Sequence, residues 1–249
     1  MAGGTVCIPT NDERMSDLQG FVNRARISIG LLPPAALEFL EPGGLRTIQL
    51  LGLGGEATNA NQLQRWKECG TRFANCYGPT ECCVMSTINT HLTSADSSDI
   101  GKPVGGSCWV CDPNDTSRLL PCGLEGELVV TGANVAEGYL DEPEKTAKAF
   151  VTPTWPEWAP QHVRAYRTGD LAVLDRAGTL RIRGRIDRQI KFYGQRIERT
   201  ELEQAIASCG LHNPTSLPVI EKIESCGRQQ LICFGEFMPQ SDRRRCEIG

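Results

Sequence analysis

Asn75-Cys76-Tyr77-Gly78-Pro79-Thr80-Glu81 is the stretch on which the reading of this chain turns. It sets an amide, an aromatic ring, a Gly-Pro bend, a hydroxyl and a carboxylate in direct succession. A bend at Gly78-Pro79 exposes backbone N–H groups, because Gly tolerates dihedrals closed to other residues and Pro fixes its own φ. Thr80 supplies a neutral donor suited to a phosphate oxygen. Glu81 supplies a hard oxygen ligand suited to Mg2+, which binds through one or two carboxylates plus substrate phosphates. Tyr77 offers a flat face to a base. A polar turn after a strand has a similar composition, so the stretch needs support from elsewhere in the chain.

Residues 71–76 read as the strand that delivers this motif. Upstream, strands at 4–9, 27–32 and 47–51 alternate with helical patterns. One helix is capped by Asn11 or Asp12 and carries Met15, Leu18, Phe21, Val22 and Ala25 on its apolar face. A short helix follows Pro33-Pro34, and another opens at Thr58 or Asn59 and runs through Trp66. Such alternation implies an open, mainly parallel sheet, with ligands at the carboxyl ends of its strands. Both Gly52-Leu53-Gly54-Gly55 and residues 77–81 fall there. The glycine run is neither G-x-G-x-x-G nor a lysine-bearing phosphate loop. Its expected use is to keep side chains away from a ligand or a neighbouring backbone.

Beyond about residue 90 the pattern becomes β-rich. Strand candidates lie at 108–111, 126–131, 171–174 and 179–183. One helix has Pro143 in its first turn, Asp175-Arg176-Ala177-Gly178 reads as a hairpin turn, and the proline-bearing segment 151–163 reads as a surface loop. Gly184-Arg185-Ile186-Asp187 precedes a last unit. There, 189–193 and 195–197 form a hairpin around Gly194, Thr200 and Glu203 suggest a capping box, strand-like segments cover 217–223 and 230–237, and the residues from Pro239 onward look frayed.

Bulk properties narrow the function classes. The 249 residues suit one large domain or two modest ones. A net charge of −4 argues against a nucleic-acid or anionic-membrane surface, and Arg243-Arg244-Arg245 is short enough to be a solvated tail. No apolar run has transmembrane length and no signal pattern opens the chain, so a cytoplasmic location is expected. In that setting the 12 cysteines are expected to be free. The lone C-x-x-C, Cys108 to Cys111, has no partner pair or His at zinc spacing. Cys82 and Cys83 would point to opposite faces of a strand. Most of the cysteines then act as small hydrophobes.

Several stretches in fixed order now carry a resemblance. After 75–81 come Gly126-Glu127-Leu128-Val129-Val130-Thr131-Gly132 and Gly138-Tyr139-Leu140. Tyr166-Arg167-Thr168-Gly169-Asp170-Leu171 follows, then Gly184-Arg185-Ile186-Asp187-Arg188-Gln189-Ile190-Lys191 and Gly194-Gln195-Arg196-Ile197-Glu198. Together they resemble the adenylation domain of nonribosomal peptide synthetases, within the adenylate-forming superfamily. The implied fold is α/β: a partial doubly wound sheet over 1–98, a β-rich, barrel-like subdomain over 99–186, and a hinge with a small α+β domain over 187–249.

The resemblance implies ATP-dependent activation of an amino acid as its adenylate, with Mg2+, and transfer to a phosphopantetheine thiol on a carrier protein. Tyr77 would pack on adenine with Asn75 at its edge and Gly78 in the bend, and Ile182 would stand where relatives cover the other face with an aromatic ring. Thr80 would contact the α-phosphate and Glu81 would bind Mg2+. Asp170 would accept both ribose hydroxyls, Arg185 would reach the ribose and phosphates, and Asp187 would be the hinge. Leu31, Gly52, Gly54, Cys76, Val84 and Met85 would line an apolar pocket for an aromatic or large aliphatic substrate.

Three family features have no counterpart in this sequence: the lysine-ended phosphate loop, the Asp that grips the substrate amino group, and the C-terminal catalytic lysine. The chain is therefore expected to be an incomplete fragment. Two other readings share the nucleotide site, a non-catalytic remnant that binds nucleotide weakly or contacts a partner, and part of an acyl-CoA or aryl-acid ligase.

Overall fold

Thr10, rather than Asn11 or Asp12, starts the first helix. Its hydroxyl accepts the Glu13 N–H at 3.2 Å while the Glu13 carboxylate accepts the Thr10 N–H at 3.0 Å, closing a capping box. The expected single helix is two, α1 (Asn11–Ser16) and α2 (Leu18–Arg24), because the Asp17 carboxylate turns onto the Gly20 N–H and caps the second. The break leaves Met15 in solvent and Val22 in the core. Residues 4–9 form no strand, and Val6 and Ile8 are exposed. Alternation makes a strand only where a neighbour completes the ladder, and among the described residues none lies beside this segment.

The computed structural model describes residues 3–58, 60–66, 70–92, 97–187, 189–192, 195–197, 199–208, 219–225 and 228–234. The chain divides into Met1–Ile186 and Asp187–Gly249. In the first unit, β1 (Ile29–Leu32), β2 (Leu50–Gly54) and β3 (Arg72–Tyr77) run parallel, with Leu31 beside Gly52 and Gly54 beside Cys76. A 3-10 turn (Pro34–Phe39) follows β1, and α3 (Ala60–Trp66) connects β2 to β3. Their core is Val22, Leu37, Leu51, Leu53, Trp66 and Phe73, with Trp66 meeting Phe73 edge-on. Burial on both faces explains why β2 and β3 read as near-continuous apolar runs; β1, at the end of the strand order, leaves Ile29 and Leu31 exposed.

After β3 the chain reverses through short turns, and every later pairing is antiparallel. Parallel neighbours need long crossovers, so the sheet is parallel through β1–β3, as the alternating strands and helices imply, and antiparallel beyond them. β4 (Thr87–Asn89), β5 (Asp99–Pro103), β6 (Ser107–Asp112), β7 (Asp115–Leu119) and β8 (Glu125–Thr131) precede α4 (Pro143–Ala149). β9 (Phe150–Val151), β10 (Ala165–Leu174) and β11 (Leu180–Arg185) complete the unit. The order is β1-β2-β3-β4-β5-β11-β10-β8-β6-β7 with β9 on β10, one 11-stranded sheet. The α/β fold thus continues directly into its β-rich part through β5 and β11.

The segment 151–163 is packed rather than a plain surface loop. Trp155 and Ala159 are buried, the Trp155 indole donates to the Thr116 carbonyl at 2.8 Å, and its ring lies 4.9 Å from that of Trp109. The prolines signal only the lack of regular structure; the aromatic residue between them carries the burial. In the second unit β12 (Ile190–Phe192) pairs with β13 (Gln195–Ile197), α5 is Arg199–Ser208, and β14 (Val219–Ser225) pairs with β15 (Arg228–Phe234). The helix begins ahead of Thr200, the expected cap. Asn59, Gly194, residues 217–218, 235–237 and everything from Pro239 lie outside the described residues.

Among the described residues no helix is long and apolar enough to cross a membrane, and the described cysteines are free. Cys82 and Cys83 do not form a strand: Cys82 is buried at the end of a 3-10 turn (Thr80–Cys82), and Cys83 takes φ 51° at its cap. Burial pushes the thiols of Cys82, Cys108 and Cys111 up to about 12. A raised folded-state pKa contributes stability that is present below the unfolded thiol's 9.0 and is lost as pH climbs toward about 12. Urea midpoints should therefore fall across that interval. Alkylation of the native chain at about pH 8, below the free-thiol pKa, should modify Cys7, Cys83 and Cys122 before Cys82 and Cys111, read by peptide mass spectrometry.

Candidate functional site

Asp170 sits at a break in the β10–β8 pairing. Arg167 faces Val129 and Leu171 faces Glu127, so Thr168, Gly169 and Asp170 bulge outward opposite Leu128. Gly169 takes φ 70°, a left-handed conformation that a side chain would resist. The Thr168 hydroxyl accepts the Asp170 N–H at 3.0 Å and donates to the Leu128 carbonyl at 2.7 Å. A bulge re-aims the side chain that follows it, and here that side chain is a buried carboxylate.

Two groups from other elements meet that carboxylate. The Tyr77 hydroxyl, at the end of β3, donates to Oδ2 at 2.5 Å, and Arg185, opposite Asp170 on β11, donates from Nη1 to Oδ1 at 2.6 Å. Burial, then the Asp170 charge, raises the Tyr77 phenol well above its ordinary value, so it stays a donor through the physiological range. An ionised carboxylate offers about four acceptor sites; these two bonds leave capacity for further hydroxyl donors. Tyr77 and Ile182 both pack on the cluster of Ile100, Val110, Leu128, Ala172 and Leu180. Asn75 is buried, and its amide nitrogen donates to the carbonyls of Ser97 and Asp99 at 3.3 and 2.9 Å.

The bend after Tyr77 is tight. A Cβ at Gly78 would lie 2.4 Å from the Val84 carbonyl oxygen, and the Ser86 N–H donates to the Tyr77 carbonyl at 2.8 Å. Between these points Thr80 stands exposed at the start of the 3-10 turn, while Glu81 is buried. Glu81 accepts the Tyr139 hydroxyl at 2.7 Å, and the Tyr139 and Tyr166 oxygens are 3.5 Å apart. Burial and the neighbouring Tyr139 hydroxyl raise the Tyr166 phenol well above its ordinary value, so Tyr166 presents a neutral hydroxyl near the carboxylate. Among the described residues no group of three or more His, Cys, Asp or Glu could hold a metal. A single carboxylate suits Mg2+, whose remaining ligands are phosphates and water. Tyr139 lay within a quoted motif without a role; its bond to Glu81 spans 58 positions and has no local signal.

Of the expected pocket residues, Leu31, Gly52 and Cys76 come together across β1–β3. A Cβ on Gly52 would lie 3.0 Å from both Leu31 Cδ1 and Cys76 Sγ. One on Gly54 would lie 2.5 Å from the Cys76 carbonyl oxygen, so this glycine serves the approach of two backbones. Val84 and Met85 follow the bend and are exposed, Val84 with φ 73°, an outlier for a β-branched residue. Their backbones close on Gly78, where a Cβ would lie 2.4 Å from the Val84 oxygen and 2.9 Å from Met85 Cα. Asp187 is exposed and its carboxylate accepts the Gln189 N–H at 3.2 Å.

Gly54→Ala should destabilise the chain by about 1–3 kcal/mol, the range for forced overpacking; an unchanged urea midpoint would contradict the close approach. Tyr77→Phe should cost about 1.5 kcal/mol or more, as expected for a hydrogen bond to a charged group, by the same measurement.

The "AMP-binding enzyme" family matches residues 1–140. Nonribosomal peptide synthetase 4 of Gibberella zeae is 38% identical over 234 residues, covering 89% of this chain and 3% of that protein. Nonribosomal peptide synthetase 1 of Aspergillus fumigatus is 40% identical over 263 residues, covering 100% of this chain and 4% of that protein. Among solved structures, a holo nonribosomal peptide synthetase protein containing adenylation and PCP domains, bound to a vinylsulfonamide inhibitor, superposes with TM-score 0.73 at 26% identity, over 87% of this chain and 38% of that one. The chain thus spans a few per cent of its curated relatives and under half of that solved chain. On the match to more than half its length, and on its likeness in fold and sequence to adenylation units of nonribosomal peptide synthetases, the chain belongs to the AMP-binding enzyme family.

Proposed function

We propose that this chain supplies the nucleoside- and Mg2+-facing part of an adenylation unit of a nonribosomal peptide synthetase. The observation that carries this reading is the convergence on the Asp170 carboxylate of Tyr77, 93 positions upstream, and Arg185, on the neighbouring strand. Asp170 would accept the two ribose hydroxyls with its remaining lone pairs. Tyr77 would hold the adenine against the apolar cluster that Ile182 also covers. Asn75 has committed its amide nitrogen to backbone carbonyls, which leaves the amide oxygen to accept at the adenine edge. The Gly78 bend would bring the exposed Thr80 hydroxyl to the α-phosphate. Arg185 lies beside Asp170, where its charge would serve the ribose and phosphate region.

Glu81 would hold Mg2+, which supplies charge neutralisation on the phosphate oxygens. Tyr139 fixes one of its carboxylate oxygens and excludes water from that side. In the reaction, a substrate carboxylate oxygen bonds to the α-phosphorus as the bond to pyrophosphate breaks; a phosphopantetheine thiol on a carrier protein then takes the acyl group and AMP leaves. Positioning and charge stabilisation carry most of such a barrier. Asp187, the first residue after the division of the chain, would be the hinge between these half-reactions, with 1–98, 99–186 and 187–249 as the structural subdivisions. Leu31, Gly52 and Cys76, which meet across β1–β3, would form an apolar, uncharged pocket wall with Val84 and Met85 beyond the bend, while Gly54 makes room for the Cys76 backbone beside it. An aromatic or large aliphatic amino acid fits it best.

Amino-acid-dependent exchange of pyrophosphate into ATP tests this reading. In an adenylation unit that joins this chain to the lysine-ended loop and catalytic lysine its own sequence does not hold, the expected outcome is exchange strongest with aromatic or large aliphatic amino acids and lower by about 10²-fold in Glu81→Ala, with little or none from the chain alone. Exchange no higher than in Glu81→Ala would leave a nucleotide-binding segment without turnover. A best substrate that is small or charged would overturn the pocket assignment.

A further inference from the structure

Glu127 is the most enclosed carboxylate among the described residues, at 2% exposure, and no step of the reaction above uses it. Both its oxygens are engaged. Oε2 accepts from Arg167 Nε at 2.9 Å and Nη2 at 2.6 Å, and Oε1 accepts the Gly169 N–H at 3.1 Å. Arg167 Nη2 also donates to the Pro113 carbonyl at 2.8 Å, which pins the guanidinium to the β6–β7 turn. Glu127 thus grips the bulge at two points, Arg167 before it and the Gly169 N–H at its centre. The Thr168 hydroxyl grips it from the other side through Leu128. What the bulge presents to the site is the Asp170 carboxylate, one residue beyond Gly169.

A bulge without such anchors would be free to slip. β10 places four steps where β8 places two, and the extra residues could be redistributed along the strand. A slip of one residue turns a side chain to the opposite face. The isolated burial of a carboxylate is costly unless it is paired and fully hydrogen-bonded. Glu127 meets that condition only with the bulge in its present register, because one of its three bonds comes from the bulge itself.

We propose that Glu127, with Arg167, is a positioning residue: it locks the Thr168–Gly169–Asp170 bulge in the one register that aims the Asp170 carboxylate at the ribose hydroxyls. It touches no ligand and acts through the Gly169 N–H. The proposal rests on the reading of Asp170 as the ribose acceptor.

Its signature is ribose discrimination rather than stability. Binding of AMP, 2′-deoxy-AMP and 3′-deoxy-AMP to the chain would be measured by ligand-observed NMR competition, alongside thermal melts. The wild-type chain should favour AMP over each deoxy analogue by about tenfold, the worth of one hydrogen bond to a charged acceptor. In Glu127→Ala the preference should fall to within about twofold, with Glu127→Gln between, since its amide oxygen still accepts from Gly169 while the charge facing Arg167 is gone. Val129→Ala, a cavity variant on the same strand, should lower the melting temperature and keep the preference.

Should Glu127→Ala fail to fold, Glu127→Gln carries the comparison. A Glu127 variant that keeps the full preference, while Asp170→Ala abolishes it, overturns the positioning role and leaves the ribose site standing. No preference in the wild type, or one unchanged in Asp170→Ala, overturns both.

Discussion

The Asp170 carboxylate is the constraint on which the first unit's site depends. It accepts a hydroxyl from Tyr77, 93 positions earlier in the chain, and a guanidinium N–H from the neighbouring strand. These bonds join the end of the parallel strands to the antiparallel part of the sheet at one buried point. The ladder through β4, β5 and β11 brings the two parts side by side, and the carboxylate ties them there through both its oxygens. Charge makes this link stronger than a neutral one would be. Burial, and after it that charge, keeps the Tyr77 phenol protonated and so a donor.

Three of the four buried carboxylates described in this unit, Glu127, Asp170 and Glu81, differ in how much of their capacity the protein has used. Glu127 is satisfied by Arg167 and Gly169, as an internal fixture must be. Asp170 is held at both oxygens by groups on one side and retains lone pairs for more donors. Glu81 is oriented by Tyr139 beside the exposed Thr80. Their exposure rises in that order, and Thr80, the exposed residue of the 77–81 bend, stands beyond Glu81. The left-handed backbone at Cys83 and Val84 closes that bend. Non-glycine residues hold such dihedrals only where the surroundings over-determine them.

Much of the fold was legible in the sequence, and the failures have physical causes. The buried parallel strands β2 and β3 showed as apolar runs, and the 3.6-residue period found α2. The cap at Thr10 was missed because Asn11 and Asp12 are equally good capping types, and only the reciprocal Glu13 bond separates them. β4, β7 and β9 are short or polar, so neither period nor propensity marked them. Their existence depends on neighbours already in place. At the site, the motifs located Tyr77, Asp170 and Arg185 one by one. Their meeting, the Tyr139 bond to Glu81 and the grip of Glu127 on the bulge are long-range contacts, which a linear pattern does not encode. At Gly54 the sequence left ligand and backbone as alternatives, and the Cys76 carbonyl settles it as backbone.

The most direct measurement is a set of intermolecular NOEs between AMP and the isotope-labelled chain. The account predicts contacts from the adenine protons to the Tyr77 ring and Ile182 methyls, and from the ribose protons to the backbone amides of Asp170 and Leu171. Saturable AMP binding whose contacts fall elsewhere on the chain, with the Tyr77 and Asp170 resonances unmoved, would contradict it.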